Sequence, residues 1–198
     1  MVVKSLFTAT LLVLGMVFGS AVGAASNSPT EQIQTVVDEV ISLLKDDSLS
    51  KQQRRDQIRA IVAPHFDFEA MSQSILALNW KKASPEQRAR FVELFQQLLE
   101  NTYIVAMESY SGETVRYGKE KLDGRKASVE TFIVRPTGVE TPVVYKLKLN
   151  RDKWLAYDVI AEGISLIRNY RTSFRSIADK DGMEGLLRQL ESKVAEPT

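Results

Sequence analysis

Residues 142–150 read PVVYKLKLN, in which apolar side chains alternate with mainly polar ones. In an extended chain Val143, Tyr145 and Leu147 share one face, while Lys146 points to the other. The same period-two signal recurs in residues 114–118, 127–134 and 154–161, and these segments are separated by the turn sequences Asp123-Gly124, Pro136-Thr137-Gly138 and residues 150–153. Because strands joined by short turns pair with each other, the sequence predicts a four-stranded antiparallel meander with one solvent-exposed face.

Helical periodicity surrounds this predicted sheet. Ser28-Pro29-Thr30-Glu31 and Ser84-Pro85-Glu86-Gln87 are helix-start motifs, each with a capping Ser, a Pro in the first turn and a capping-box Glu or Gln. The predicted helices begin at Ser28, Ser50, Phe66, Ser84, Ser165 and Asp181, and the third one runs over residues 66–80. The sequence therefore predicts one α+β domain, with helices folded onto one face of a twisted four-stranded antiparallel sheet.

The first 24 residues are typical of a secretory signal peptide. Lys4 supplies a positive charge, residues 6–18 form an uncharged apolar run, and small residues follow at 21–25. The alternative, a membrane anchor, needs about 20 apolar residues, and this run is shorter. We predict cleavage after Ala24, a mature domain over residues 25–198 and export to a bacterial periplasm.

Composition excludes several functional classes. The 198 residues contain 26 Lys and Arg, 25 Asp and Glu, no Cys and one His. A nucleic-acid partner would require a concentrated positive charge, which a near-neutral chain lacks. Without Cys there is no disulfide and no thiol chemistry, and a single His disfavours a histidine metal cluster. No catalytic residue, metal or cofactor is predicted.

Two features are nevertheless candidates for catalysis. His65 lies at a helix junction, where capping or exposure is the usual role of a histidine; Asp67 is too close in sequence to orient it. Asp158 and Glu162 share one face at a strand end, so they are candidates for acid–base chemistry or for binding Ca²⁺ or Mg²⁺. The alternative for Asp158 is an ion pair or capping of backbone N–H groups.

Three arginines follow the predicted sheet at helical spacing. Arg168, Arg171 and Arg175 lie on the side of their helix opposite Tyr170 and Phe174. Such a row is usually a solvated face, and the alternative is contact with an anionic headgroup or an acidic partner surface.

Three groups of segments carry a family resemblance. The first group is residues 66–71 (FDFEAM) with Trp80 and ASPEQR at 83–88. The second is Phe91-x-x-x-Phe95-x-x-Leu98-Leu99-x-x-x-Tyr103. The third is Trp154-x-x-Tyr157-Asp158-Val159 with EGISL at 162–166 and Asn169-Tyr170-Arg171-x-x-Phe174. In this order and spacing they resemble the toluene-tolerance family of periplasmic phospholipid-binding proteins, the soluble carriers of the Mla lipid-trafficking system. One departure is Leu76-Ala77, where relatives commonly carry Leu-Gly, and it concerns only the local helix ending.

The resemblance implies helices around a twisted four-stranded sheet, an apolar pocket for the acyl chains of a phospholipid, and two membrane partners. One partner is an inner-membrane ABC transporter complex with an MCE-domain protein, and the other is an outer-membrane lipoprotein in a porin-associated complex. A sister branch linked to hopanoid-producing bacteria leaves a hopanoid-related lipid as an alternative ligand. From the residues themselves, a small periplasmic enzyme using Asp158 or His65 and a ligand-free adaptor also stay open.

The pocket is predicted where apolar side chains exceed what one compact core requires. Residues 103–107, 164–167 and the sheet face with Val143 supply this surplus, and the first of these segments is apolar on every side, which predicts enclosure. The predicted lipid-binding residues are Leu98, Tyr103, Ile104, Met107, Val143, Tyr145, Leu147, Tyr157, Ile164, Leu166, Ile167, Tyr170 and Phe174. The predicted headgroup or partner contacts are Arg168, Arg171 and Arg175.

Overall fold

The computed structural model describes residues 28–196, so the predicted signal peptide lies outside the described residues. The helices are α1 (Pro29–Leu44), α2 (Lys51–Val62), α3 (Phe68–Leu76), α4 (Leu78–Lys82), α5 (Pro85–Glu108) and α6 (Leu166–Ala195), with a 3₁₀ turn at Ala63–His65. In the described part of the chain no helix has both the length and the apolar character needed to cross a membrane.

The sheet is an antiparallel meander of five strands in sequence order. These are β1 (Thr114–Asp123), β2 (Lys126–Val134), β3 (Glu140–Asn150), β4 (Lys153–Ala161) and β5 (Ile164–Ser165). The α+β class and the meander are confirmed. The strand count is five rather than four because residues 164–165, predicted as a helix start, first pair with β4. The first strand is also longer than the predicted residues 114–118, since it continues to the β1–β2 turn.

Serine side chains begin four of the helices as the start motifs predict. Ser28, Ser50 and Ser84 each accept a hydrogen bond from the backbone N–H three residues later, and all three form complete capping boxes. Ser165 caps α6 through the backbone N–H of Arg168. These ends are determined locally, because a cap satisfies N–H groups that the first helical turn leaves without a partner.

The single helix predicted over residues 66–80 is wrong. Ala77 has φ 50° and ψ −114°, a conformation that side chains with a Cβ rarely adopt, and it separates α3 from α4. A similar break at Gly182, with φ 69°, divides α6 into two helical parts. This second break agrees with the separate final helix that the sequence predicts near Asp181.

Helices cover one face of the sheet and bury two main apolar clusters. The central cluster joins α3, α5 and α6 around Phe91, Phe95 and Phe174, whose rings meet edge to face or stacked. The sheet cluster places Ile33 of α1 against the inner side of the sheet, where Leu147 is 2% exposed. A third, smaller cluster joins Val40, Ile58 and Ile104 of α1, α2 and α5. Between these clusters the helices and sheet do not close completely.

Candidate functional site

A cavity of about 420 Å³ lies between α2, α5 and the strands β3 and β4. Its walls are mainly apolar side chains from the helices, the sheet and the β4–β5 turn. The lining residues are Ile58, Arg59, Val62, Ala63, Phe66, Phe68, Leu99, Glu100, Tyr103, Ile104, Met107, Tyr145, Val159, Ala161, Glu162, Ile164, Leu166 and Asn169. A cavity of this size and lining is within the range of small-molecule sites, which span about 300–1,000 Å³.

The last turns of α5 form the helical wall. Ile104 is 3% exposed and packs against Ile58 of α2 in the third cluster. The predicted enclosure of residues 103–107 is wrong for part of this segment, since Tyr103 and Val105 are 43% and 42% exposed. The cause is that a helix packed along one side leaves the opposite side of an all-apolar turn uncovered.

The inner face of β3 and β4 forms the opposite wall. Tyr145 is paired with Val159 across the two strands, and both side chains line the cavity. Burial raises the pKa of Tyr145, so its hydroxyl stays protonated and polar at the cavity wall. Ala161 continues this wall toward the end of β4.

The β4–β5 turn brings the chain to the opening of the cavity. Glu162 and Gly163 have φ of 51° and 81°, which folds the chain back so that Ile164 pairs with Ala161. Ile164 is 65% exposed although it is apolar. Together with exposed Tyr103 and Asn169, Glu162 and Ile164 mark the place where the cavity meets solvent, which we call the mouth.

Ion pairs hold α2 against α5 beside the cavity. The buried guanidinium of Arg55 donates two hydrogen bonds to the carboxylate of Glu108, at 2.6 and 2.8 Å, and Lys51 Nζ lies 3.3 Å from the same group. The hydrogen bonds from Arg55 lower the pKa of Glu108 from 4.5 to about 2. One turn further along α2, Arg59 lies 3.7 Å from Glu100 of α5. Charges therefore supplement the small apolar contact between these two helices.

Six of the predicted lipid-binding residues line this cavity. They are Tyr103, Ile104, Met107, Tyr145, Ile164 and Leu166. Ile167 and Phe174 lie instead in the central cluster, and Leu98 and Tyr170 pack against it. Val143 and Leu147 are buried on the sheet, and Tyr157 is the extra residue of a β-bulge in β4.

Sequence reasoning did not identify the α2 side of the cavity. Ile58 and Val62 recur at helical spacing, which predicts only an amphipathic helix, and Arg59 between them carries no distinguishing signal in the sequence. Their i, i+4 spacing places the two apolar residues on one helix face, which was the available clue. Which element that face would meet depends on contacts with α5, more than 40 residues away in sequence.

The arginine row of α6 lies on the exposed surface, and none of its members lines the cavity. Arg171 Nε donates to the carbonyl of Ser74 at 2.8 Å, and Arg175 forms an exposed ion pair with Asp179 at 3.4 Å. Arg168 is exposed as well.

The candidate catalytic residues have structural partners. Asp158 accepts hydrogen bonds from Ser165 Oγ at 2.7 Å and from the backbone N–H of Ile167 at 3.2 Å, so its carboxylate helps to cap α6. His65 Nδ1 lies 3.2 Å from Gln32 Nε2, and desolvation lowers the pKa of His65, with nearby Lys153 acting in the same direction. Across residues 28–196 no three His, Cys, Asp or Glu side chains come together as a metal site requires.

An antiparallel sheet covered by helices around a mainly apolar, solvent-connected cavity defines a class of small α+β proteins suited to holding an apolar ligand. The chain belongs to the MlaC protein family, whose model matches residues 34–192. The resemblance to the toluene-tolerance family is thus confirmed.

Two relatives and one solved structure illustrate this membership. The intermembrane phospholipid transport system binding protein MlaC of Haemophilus influenzae is 24% identical, over 98% of this chain and 95% of that protein. Toluene tolerance protein ttg2D of Pseudomonas putida is 28% identical, over 80% of this chain and 76% of that protein. The phospholipid-binding protein from Ralstonia solanacearum, solved in complex with a phospholipid, matches with a TM-score of 0.76 and 25% identity, covering 83% of this chain and 96% of that chain.

Proposed function

We propose that this protein is a non-enzymatic phospholipid carrier that holds acyl chains in the cavity between α2, α5 and the sheet. The single observation that carries the proposal is a cavity of about 420 Å³ with a mainly apolar lining in a member of the MlaC family. The acyl-chain contacts are assigned to the lining residues Tyr103, Ile104, Met107, Tyr145 and Leu166, with Ile164 at the mouth. The headgroup then lies at the mouth, near water.

The size of the cavity matches an acyl chain. If a methylene group occupies about the 30 Å³ of one water molecule, 420 Å³ holds roughly 14 of them. At ~0.8 kcal/mol for each buried CH₂, these groups gain about 11 kcal/mol relative to water. A bilayer offers the same groups a similar environment, so a carrier must exchange lipid at protein docking sites rather than by competing for free lipid.

The proposed setting is the periplasm, after removal of residues 1–24. There the protein acts as the soluble component of an Mla-type ABC transport system. It exchanges lipid with an inner-membrane transporter complex containing an MCE-domain protein and with an outer-membrane lipoprotein–porin complex. The exposed row of Arg168, Arg171 and Arg175 is the proposed partner contact. Support comes from the name of the Haemophilus influenzae relative, an intermembrane phospholipid transport system binding protein.

Native mass spectrometry of the protein purified from a bacterial periplasm tests the proposal. We expect a stoichiometric mass increment, and organic extraction should identify it as phospholipid. If only the mass of the bare protein is found, the protein is incubated with phospholipid liposomes and measured again. A folded protein that stays bare after this incubation would contradict the carrier function and favour a ligand-free adaptor.

A further inference from the structure

Arg59 is an unusual member of the cavity wall. It sits on α2 between Ile58 and Val62, which both line the cavity. Among the described lining residues Arg59 carries the single positive charge, and its side chain is 26% exposed. Placing a guanidinium beside an apolar space costs free energy unless its N–H groups have hydrogen-bond partners.

The protein partners of Arg59 engage the guanidinium only in part. Nη1 donates to Asp56 at 3.1 Å and Nη2 donates to Asn101 at 3.3 Å, while Nε lies 3.7 Å from Glu100. An arginine has five N–H donors, and charge-assisted hydrogen bonds are shorter, about 2.7–2.9 Å. By comparison, Arg55 one turn earlier holds Glu108 at 2.6 and 2.8 Å. Within residues 28–196, no single carboxylate therefore accepts two short hydrogen bonds from Arg59.

We propose that Arg59 binds the phosphate of the lipid carried in the cavity, an inference that rests on the proposed carrier function. With acyl chains along Ile58 and Ile104, the phosphate of the same lipid lies where the lining passes from apolar to solvent. Arg59 faces Glu100 of α5, which lies about one helical turn before Tyr103 at the mouth, so its partly exposed guanidinium is near the opening. The planar fork of this guanidinium matches two phosphate oxygens. Arg168, Arg171 and Arg175 lie outside the cavity lining, so the phosphate contact is assigned to α2 and not to α6.

Glu100 sets the strength of this contact. Its carboxylate lies 3.7 Å from Arg59 and also accepts a hydrogen bond from Gln96 at 2.8 Å. When a phosphate arrives, it competes with this carboxylate for the guanidinium. Removing the charge of Glu100 should therefore strengthen the phosphate contact, while removing Arg59 should abolish it.

The test compares two ligands with the same acyl chains, a phosphatidylethanolamine and the corresponding diacylglycerol, which lacks the phosphate. Their dissociation constants are measured on delipidated protein for the wild type, for Arg59→Gln and for the matched control Arg90→Gln, an ion-paired arginine of α5. We expect Arg59→Gln to weaken phosphatidylethanolamine binding by roughly tenfold or more, as for loss of a hydrogen bond to a charged group. Diacylglycerol binding should stay within twofold, and Arg90→Gln should change neither, because Arg90 pairs with Glu93 and Glu191 outside the cavity lining.

Equal losses for both ligands, or no loss for either, would overturn the role of Arg59 and leave the carrier function intact. A wild-type protein that binds neither ligand would instead overturn the carrier function itself. The Glu100→Gln variant tests the same contact even if the Arg59→Gln variant does not fold. It should bind phosphatidylethanolamine more tightly, relative to diacylglycerol, than the wild type does. Binding of inorganic phosphate is measured on the same proteins. If the wild type and the Arg59→Gln variant differed in binding inorganic phosphate but not in binding phosphatidylethanolamine relative to diacylglycerol, the assignment to the lipid phosphate would fail.

Discussion

Enlarging one side chain of the sheet wall should separate lipid binding from folding. Val159 lines the cavity opposite α5 and pairs with Tyr145, so Val159→Phe adds four carbons to the enclosed space. At about 30 Å³ each, these carbons occupy roughly 120 Å³, more than a quarter of the 420 Å³ available. About four methylene groups are displaced, at ~0.8 kcal/mol each, so affinity falls by about 3 kcal/mol or roughly a hundredfold.

The stability of the folded Val159→Phe protein should not fall along with its affinity for lipid. Phenylalanine is favoured in strands, and it fills space that is empty without ligand, so the unfolding midpoint should stay unchanged or rise. The matched control is Val144→Phe, since Val144 points to the other face of β3 and pairs with Ile160. This control adds the same four carbons away from the cavity.

The assay is titration of delipidated protein with a phospholipid that carries a fluorescent acyl chain, together with thermal unfolding. Val159→Phe should bind about a hundredfold more weakly than Val144→Phe while unfolding no earlier than the wild type. If the Val159→Phe variant is folded and binds with wild-type affinity, acyl chains do not occupy this cavity.

Three further substitutions test separate features of the structure. Ala77→Gly should stabilise the fold by about 1 kcal/mol in urea unfolding, because glycine relieves the positive φ at the α3–α4 break; a loss of stability would refute the strain. Glu108→Gln should destabilise it by about 1–3 kcal/mol at pH 7 through loss of the bonds from Arg55. Because its folded pKa of about 2 lies below 4.5, the stability that Glu108 adds is complete above about pH 4.5 and disappears toward pH 2. The difference between variant and wild type should therefore shrink over that range, and a constant difference would count against the ion pair. Ile164→Glu should lower lipid retention on native mass spectrometry, whereas Leu78→Glu, an apolar residue 72% exposed outside the cavity lining, should not; equal retention in both variants would exclude Ile164 from the mouth.

The features predicted well are those determined by near neighbours along the chain. The capping boxes at Ser28, Ser50 and Ser84 need only four consecutive residues each. The meander follows from alternation and short turns, so its pairing, such as Leu147 with Ala127, also follows from local signals. The bounds of β1 were missed because its second half, GKEKLD, lacks clear alternation.

The features predicted poorly depend on packing between distant elements. Nothing local shows that Ala77 must turn the chain, although the Gly expected there from the family resemblance is explained by the positive φ. Whether an apolar side chain fills a core or lines a cavity depends on what lies opposite, so Phe174 and Leu166 could not be distinguished from their sequence pattern. Arg59 was missed for the same reason, because its significance arises from the apolar residues around it.

The cavity also has a consequence for the lifetime of the protein in a cell. A void of 420 Å³ at ~24 cal/mol per Å³ corresponds to at most about 10 kcal/mol of packing that the empty protein lacks. This is comparable to the whole stability of an ordinary domain, about 5–15 kcal/mol. A ligand that binds only the folded state adds stability by mass action, so unloaded molecules open more often and are cleaved first by proteases. The steady-state amount of such a protein would then follow the supply of its ligand, without a separate sensor or regulator.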